Sequence, residues 1–314
     1  MEYFIIAVSV CAAAAVFSLA FSAAYYFKAF YNGRRKDVTF DVLTGPAYDP
    51  YRDEMLDLIR TAVKIPYEEI YIKACDGKRL YGRLYMRDPS APFHIQFNGY
   101  RGNGLRDFSG GLQLALKSGG NVILTDQRSH GKSDGVTVSF GVRERKDVLR
   151  WANYVRDNYG PVPIYLEGIS MGAATVLMAS DLPLPDTVCG IVADCPYSSP
   201  FGIVRKVSRD VLKIDTVTCP FIFAGALLFG HFNILSSSAL KSVKEAKVPI
   251  LLIHGTADDF VPIEMSRSIR DENPGKVTLV EIEGAPHGLS YLKNTPEYEK
   301  TLTDFFNKCA TQSK

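Results

Sequence analysis

Between Tyr3 and Phe27 the chain has no charged residue at all, and this is the longest of several informative absences. Charge of one sign is not in excess: 36 Lys and Arg stand against 34 Asp and Glu, for a net charge of +2. No basic block occurs outside the N-terminal segment, so no nucleic-acid partner is expected. The six cysteines, at 11, 75, 189, 195, 219 and 309, form no Cys-x-x-Cys pair and no Cys/His cluster. That spacing excludes a zinc or dithiol motif and fits free thiols in a reducing compartment. Internal repeats and low-complexity tracts are also missing, which excludes a solenoid. What remains is ordinary: 46% hydrophobic and 22% charged residues in 314, enough for one α/β domain with a small insertion.

The uncharged run would rise roughly 37 Å as a helix, more than the ~30 Å of a bilayer core. Tyr25 and Tyr26 stand at its end, where an aromatic belt would lie, followed by Lys28, Arg34, Arg35 and Lys36, while only Glu2 precedes. Residues 1–36 are therefore expected to be a single-pass membrane anchor with a basic flank, leaving the rest of the chain on the cytoplasmic side. The rival is a cleaved signal peptide and export. Leu19-Ala20-Phe21-Ser22-Ala23-Ala24 offers small residues for cleavage, but no positive region precedes the run. Residues 37–64 read as a polar, Pro-containing linker with a short helix from Arg52 to Val63. On this reading, removing residues 1–36 leaves the chemistry intact.

Beyond the linker, Glu69–Lys73 and Leu80–Met86 are strand-like and flank Asp76-Gly77, a hairpin signal. Apolar strands then alternate with helical stretches through residue 308: strands at 93–97, 122–124, 163–166, 188–193, 249–253 and 277–282, helices at 105–117, 142–158, 170–180, 262–271 and 295–308. A hairpin followed by β-α alternation predicts a mostly parallel central sheet with helices on both faces over residues 65–310. Residues 198–246 interrupt the alternation and are expected to form a small helical cap over the carboxyl edge of the sheet, where ligands of such sheets bind.

Gly168-Ile169-Ser170-Met171-Gly172 lies between the strand-like Val162–Leu166 and the helix-forming Ala173–Met178. A Gly-x-Ser-x-Gly turn in that context lifts the serine hydroxyl clear of the backbone, and its glycines let neighbouring chains approach. Without a partner it is a glycine-flanked serine capping a helix. A serine nucleophile needs a base. Of His94, His130, His231, His254 and His287, only His287 lies in a loop between the last strand and the last helix, from which it can reach over the sheet edge. The orienting carboxylate is expected just after the preceding strand, at Asp258, with Asp259 as competitor by adjacency. Two amides should stabilise the oxyanion: Met171 N–H, after the nucleophile, and Tyr100 N–H, in the loop Asn98–Asn103. No metal and no cofactor are expected.

With these residues in place the sequence resembles the α/β-hydrolase superfamily, in particular its bacterial serine aminopeptidase and monoacylglycerol lipase-like branch. Four blocks carry the likeness: Asn98–Asn103, Asp126–Ser133, Gly168–Gly172, and His254–Pro262 together with His287. The resemblance implies the α/β-hydrolase fold and a serine hydrolase. It also implies that Asp126–Ser133 is a structural turn in which Arg128 and His130 have no catalytic role. One departure is Asn98-Gly99, where that family usually has His-Gly; the oxyanion donor is a backbone N–H, so the hole should survive. The expected substrate is a small-molecule acyl ester, cleaved through an acyl-enzyme. A peptidase or amidase with the same triad, and a non-catalytic hydrolase-like binding protein, are the alternatives. Phe221–Phe229, apolar on nearly every face, is expected to be a buried cap helix and is a candidate acyl-binding wall.

Overall fold

Eight strands hydrogen-bond in the order β1-β2-β4-β3-β5-β6-β7-β8. They are β1 Glu68–Lys73, β2 Arg79–Tyr85, β3 Phe93–Phe97, β4 Asn121–Asp126, β5 Ile164–Ile169, β6 Val188–Asp194, β7 Ile250–Gly255 and β8 Val277–Ile282. The protein is seen in a computed structural model that describes residues 1–33, 37–213 and 217–312. β2 runs antiparallel to β1 and β4; every other pair is parallel. Strands β3 to β7 read as near-continuous apolar runs because helices cover both of their faces.

Alternation along β5 shows the two faces. Ile164 and Leu166 enter the main core with Trp151 and Val155 of α4 (Glu144–Tyr159) and Val176 of α5 (Met171–Met178). Tyr165 points the other way, against Phe305 and Cys309 of α11 (Thr295–Gln312). On that second face Val122 and Leu124 of β4 pack with Leu105, Leu112 and Ala115 of α3 (Gly104–Lys117). The α/β-hydrolase fold expected from the sequence is the fold observed. Helix α9 (Glu264–Glu272) lies between β7 and β8, and a short helix, α10 (Ser290–Lys293), had no periodic signal.

The insertion consists of α6 (Pro200–Leu212), α7 (Cys219–Ala224) running into a π-helical turn (Gly225–Phe229), and α8 (Ala239–Lys244). Ser199 and Ser238 cap α6 and α8, accepting from Gly202 N–H and Lys241 N–H.

Helix α1 (Glu2–Tyr25) continues through a π-helical turn to Phe30 and is long and apolar enough to cross a membrane. Its far end departs from the expected free tether. Phe30 is fully buried in the main core, with its ring edge-on to Phe140 and Phe232, and Tyr26 is buried beside it. The Phe30 carbonyl accepts from Val138 N–H at 2.7 Å, and Asn32 donates its backbone N–H to Val136 O and its side-chain amide to Ser129 O. Gly225 lets α1 approach closely, since a Cβ there would sit 2.6 Å from the Ser22 carbonyl oxygen. The expectation that residues 1–36 are separable from the enzyme is therefore corrected: hydropathy marks a helix, and from Ser22 onward that helix is bound by protein. Arg34, Arg35 and Lys36, the basic flank, lie outside the described residues.

The segment after it also packs. Thr39 and Val42 are buried, and α2 (Arg52–Ala62) presents Ile59 and Ala62 to the domain with almost no exposure. Polar composition hid this, because only one stripe of a short helix and a few scattered apolar side chains make the contact.

Candidate active site

Ser170 occupies the turn between β5 and α5 with φ 53° and ψ −110°, a left-handed conformation that a non-glycine residue holds only under constraint. The constraint is local packing. A Cβ on Gly168 would overlap the Gly172 backbone, and one on Gly172 would overlap the Phe97 carbonyl. The turn is thus pinned against β3, and it presents the hydroxyl at the N-terminus of α5.

His287 Nε2 lies 2.9 Å from Ser170 Oγ, and its Nδ1 lies 2.6 Å from Asp258 Oδ2. An ionised carboxylate can only accept, so Nδ1 carries the proton and Nε2 is free to accept from the serine hydroxyl. Asp258 is buried. Burial pushes its carboxyl pKa upward, but hydrogen bonds from His254, His287 and the Val261 N–H outweigh this and hold it down to about 2. Oδ1 accepts from Val261 N–H at 2.7 Å and Phe260 N–H at 3.0 Å. Asp259, the competitor, is exposed, and its carbonyl accepts from Lys206 Nζ.

His254 supplies what the sequence did not announce. Its Nε2 faces two acceptors, Val261 O at 2.9 Å and Asp258 Oδ2 at 3.2 Å, while Nδ1 lies 2.7 Å from Ser266 Oγ. Nε2 is therefore the protonated nitrogen, and Asp258 Oδ2 is held by two imidazoles. The His254-Gly255-x-x-Asp258 spacing was the available signal.

The loop after β3 approaches Ser170: a Cβ on Gly99 would lie 3.6 Å from Ser170 Cβ. The N–H groups of Tyr100 and Met171 have no acceptor among the described residues. Several side chains hold this loop. Gly99 N–H donates to Asp107 Oδ2 at 2.8 Å, Gln127 N–H donates to Asn98 Oδ1 at 3.0 Å, and Arg101 N–H donates to His130 Nε2 at 2.9 Å. Burial lowers the His130 pKa, and its Nδ1–H donates to Arg128 O, so the neutral ring accepts from Arg101. The Asp126–Ser133 turn thereby supports the loop beside Ser170. The π-helical turn that continues α1, with Tyr31 after it, holds the same loop from outside: Tyr100 Oη–H donates to Ala29 O at 2.8 Å, and Arg101 Nη2 donates to Lys28 O and Tyr31 O.

Two cavities meet at Ser170. One, of about 350 Å³, runs toward α2 and α3 and is lined by Val42, Leu43, Tyr48, Met55 and Leu58, with Asp107, Asp194 and Tyr298 among its polar walls. None of the five residues from 42 to 58 was legible as part of a site. The other, of about 460 Å³, lies between α1 and α6 and is mostly apolar. Phe260, whose ring sits 5.1 Å from that of His287, borders both. Phe221–Phe229 lines neither, so this candidate acyl-binding wall borders neither cavity. That run clamps α1 instead, with the ring of Phe221 edge-on to Phe21 and the ring of Phe229 tilted against Tyr26.

Cys195, Asp258 and His287 have potential metal-ligand atoms within 4.8 Å of one another. Burial drives the Cys195 thiol well above its ordinary range, and the other two are bonded to each other, so a metal there would dismantle the pair.

A family model for the alpha/beta hydrolase fold matches residues 97–216. The Bacillus subtilis protein YqkD is 27% identical over 199 residues, covering 62% of this chain and 65% of that one. Monoglyceride lipase of Rattus norvegicus is 24% identical over 283 residues, 79% of this chain and 92% of the lipase. Among solved structures, a Pyrococcus furiosus esterase superposes with a TM-score of 0.66 at 22% identity, covering 89% of this chain and 98% of the esterase.

Proposed function

Since this chain is an α/β hydrolase similar to the monoglyceride lipases, we propose that it cleaves carboxylic esters through an acyl-enzyme on Ser170. The observation that carries this reading is the unbroken relay from Ser170 Oγ through His287 to Asp258, at 2.9 and 2.6 Å. Ser170 Oγ attacks the ester carbonyl carbon as its proton passes to His287 Nε2. Asp258 keeps Nδ1–H in place and stabilises the imidazolium. The tetrahedral oxyanion lies between the Tyr100 and Met171 N–H groups, at the positive end of α5. Collapse breaks the C–O bond to the alcohol, which leaves with the proton from Nε2. A water then gives a proton to Nε2 and attacks the acyl-serine carbonyl, releasing the carboxylic acid and restoring Ser170. No step calls for a metal or cofactor.

Helix α1 is the membrane anchor on this reading. The stretch before its docked turns is about twenty residues, the length a spanning helix needs. The cytoplasmic placement rests on Lys28 and the basic residues that follow it.

The test is phosphonylation and turnover. A fluorophosphonate is expected to label Ser170, and wild-type protein should give a burst of p-nitrophenol from a p-nitrophenyl ester but none of the anilide from an aminoacyl anilide. Ser170→Ala and His287→Ala should each cost at least ~10³ in kcat, because the two act as one unit. Full activity in the Ser170→Ala variant, with circular dichroism unchanged, would refute the assignment; release of the anilide would favour a peptidase.

A further inference from the structure

The apolar cavity is built from two partners that the sequence had kept apart. One wall is α1 with the turn that continues it, through Phe21, Ala24, Tyr25 and Ala29; the facing wall is α6, through Ile203, Val207 and Val211. The inner end is Ser170 and Met171. Tyr25 Oη and Ser208 Oγ are hydrogen-bonded across the gap at 2.9 Å, which fixes the spacing of the walls. The outer end is flanked by exposed apolar side chains: Phe21 on α1, and Val211 and Leu212, 58% and 41% exposed, on α6.

The position of that outer end along α1 decides what it opens on. From Tyr3 to Phe21 the helix rises roughly 28 Å, against ~30 Å for a hydrocarbon core. With α1 spanning, Phe21 and Ala24 stand at the edge of the hydrocarbon, and Val211 and Leu212 face the same boundary. Leu227 and Leu228 of the clamp on α1 are also exposed, so the cap presents a largely apolar rim around the helix. An apolar cavity that begins at the bilayer edge and ends at a nucleophile fits a hydrocarbon chain drawn from the leaflet.

We propose that α1 forms one wall of the acyl-chain site. The acyl group of a membrane-resident ester then reaches Ser170 between α1 and α6 without crossing water, and Ala24 and Val207 limit the chain length accepted. This rests on the ester-hydrolase reading above and names its substrate class, esters of long-chain fatty acids. The alcohol is left to the smaller, more polar cavity on the other side of Ser170.

Two measurements on full-length protein in phosphatidylcholine vesicles test it. In the first, the wild type is treated with a dodecyl fluorophosphonate carrying a terminal diazirine, irradiated, digested and mapped. The expected result is phosphonate on Ser170 with the photo-adduct on residues 21–29 or 203–212. An adduct on residues 42–58 would overturn the proposal, because the chain would lie in the other cavity. In the second, kcat/KM is measured for acetyl to hexadecanoyl esters in Ala24→Trp and Val207→Trp. Both variants are expected to lower the dodecanoyl-to-acetyl ratio about tenfold, the effect of losing roughly two buried methylenes. A shift with Val207→Trp alone would remove α1 from the wall. A wild type that neither takes phosphonate on Ser170 nor hydrolyses any ester would instead overturn the hydrolase reading, and the wall with it.

Discussion

Truncation at two points along α1 separates anchoring from folding. Removing residues 2–20 takes away only exposed positions of the helix. Removing residues 2–36 also takes Tyr26 and Phe30 out of the core, where Phe30 has no exposed surface. Phe30→Ala alone should cost about 3–5 kcal/mol, the usual range for deleting a fully buried aromatic side chain. For a domain of this size that lowers Tm by roughly 10 °C. The longer deletion adds the loss of the Phe30 O···Val138 N–H and Asn32 bonds, and it frees Arg101 and Tyr100 from the Lys28, Ala29 and Tyr31 carbonyls. Because native domains are stable by only about 5–15 kcal/mol, the 2–36 deletion should be poorly folded, and any folded fraction should have impaired turnover through the loosened Tyr100 loop. Differential scanning calorimetry and short-ester kinetics on the two truncations and on Phe30→Ala are the assays. A 2–36 deletion that melts within a few degrees of the 2–20 deletion and matches its kcat would refute the docking of α1.

Asp258→Asn should lower kcat by roughly 10²–10⁴, because Oδ1 can keep its backbone bonds while an amide facing Nδ1 favours the wrong imidazole tautomer; Asp259→Asn should stay within about twofold, and steady-state kinetics on both decides which residue is the acid. The Asp258 pKa is depressed to about 2, so its contribution to stability is full above the ordinary carboxylate range and is lost progressively as pH falls from that range through about 2; unfolding that begins well above that range must come from other groups. Asp194 behaves oppositely. Burial, against which the Ser290 and Tyr298 hydroxyls donate at 3.1 and 3.0 Å, pushes its carboxyl up to about 6. Its contribution is full below the unfolded value and is lost as pH rises through about 6, so Asp194→Asn should gain up to ~3 kcal/mol on the wild type between pH 4 and pH 7.5. Urea midpoints at the two pH values check this, and an unchanged gap would show that Asp194 is not the titrating group.

The parts of the site that could be read in advance are those fixed by a few consecutive residues. Ser170 sits in a turn whose two glycines are each demanded by a backbone contact, Gly168 against Gly172 and Gly172 against Phe97. His287 and Asp258 follow because their loops leave adjacent parallel strands, β8 and β7, at the same sheet edge. Apolar strands alternating with amphipathic helices gave the fold in the same way, since both signals are local in sequence. His254 escaped because its contribution to Asp258 depends on which ring nitrogen faces inward, and Ser266 and Val261 determine that from elsewhere in the chain. His130 escaped because accepting from Arg101 N–H is a contact between residues 29 positions apart.

The surroundings of Ser170 were illegible for a different reason. Val42, Leu43, Tyr48, Met55 and Leu58 reach the cavity from a stretch with no sustained period, so nothing in their order distinguished a covering segment from a tether. The N-terminal helix presents the sharper case. Hydropathy records that residues 3–27 prefer an apolar medium, and lipid and protein interior satisfy that preference alike. The switch between the two falls near Ser22. Ser22 is buried and faces Gly225, Tyr25 and Tyr26 carry hydroxyls that bond Ser208 and Thr137, and Phe30 completes the core. Polar atoms placed for partners, within a run otherwise suited to lipid, mark where one apolar solvent gives way to the other. Those hydroxyls were visible in the sequence; their partners, more than a hundred residues away, were not.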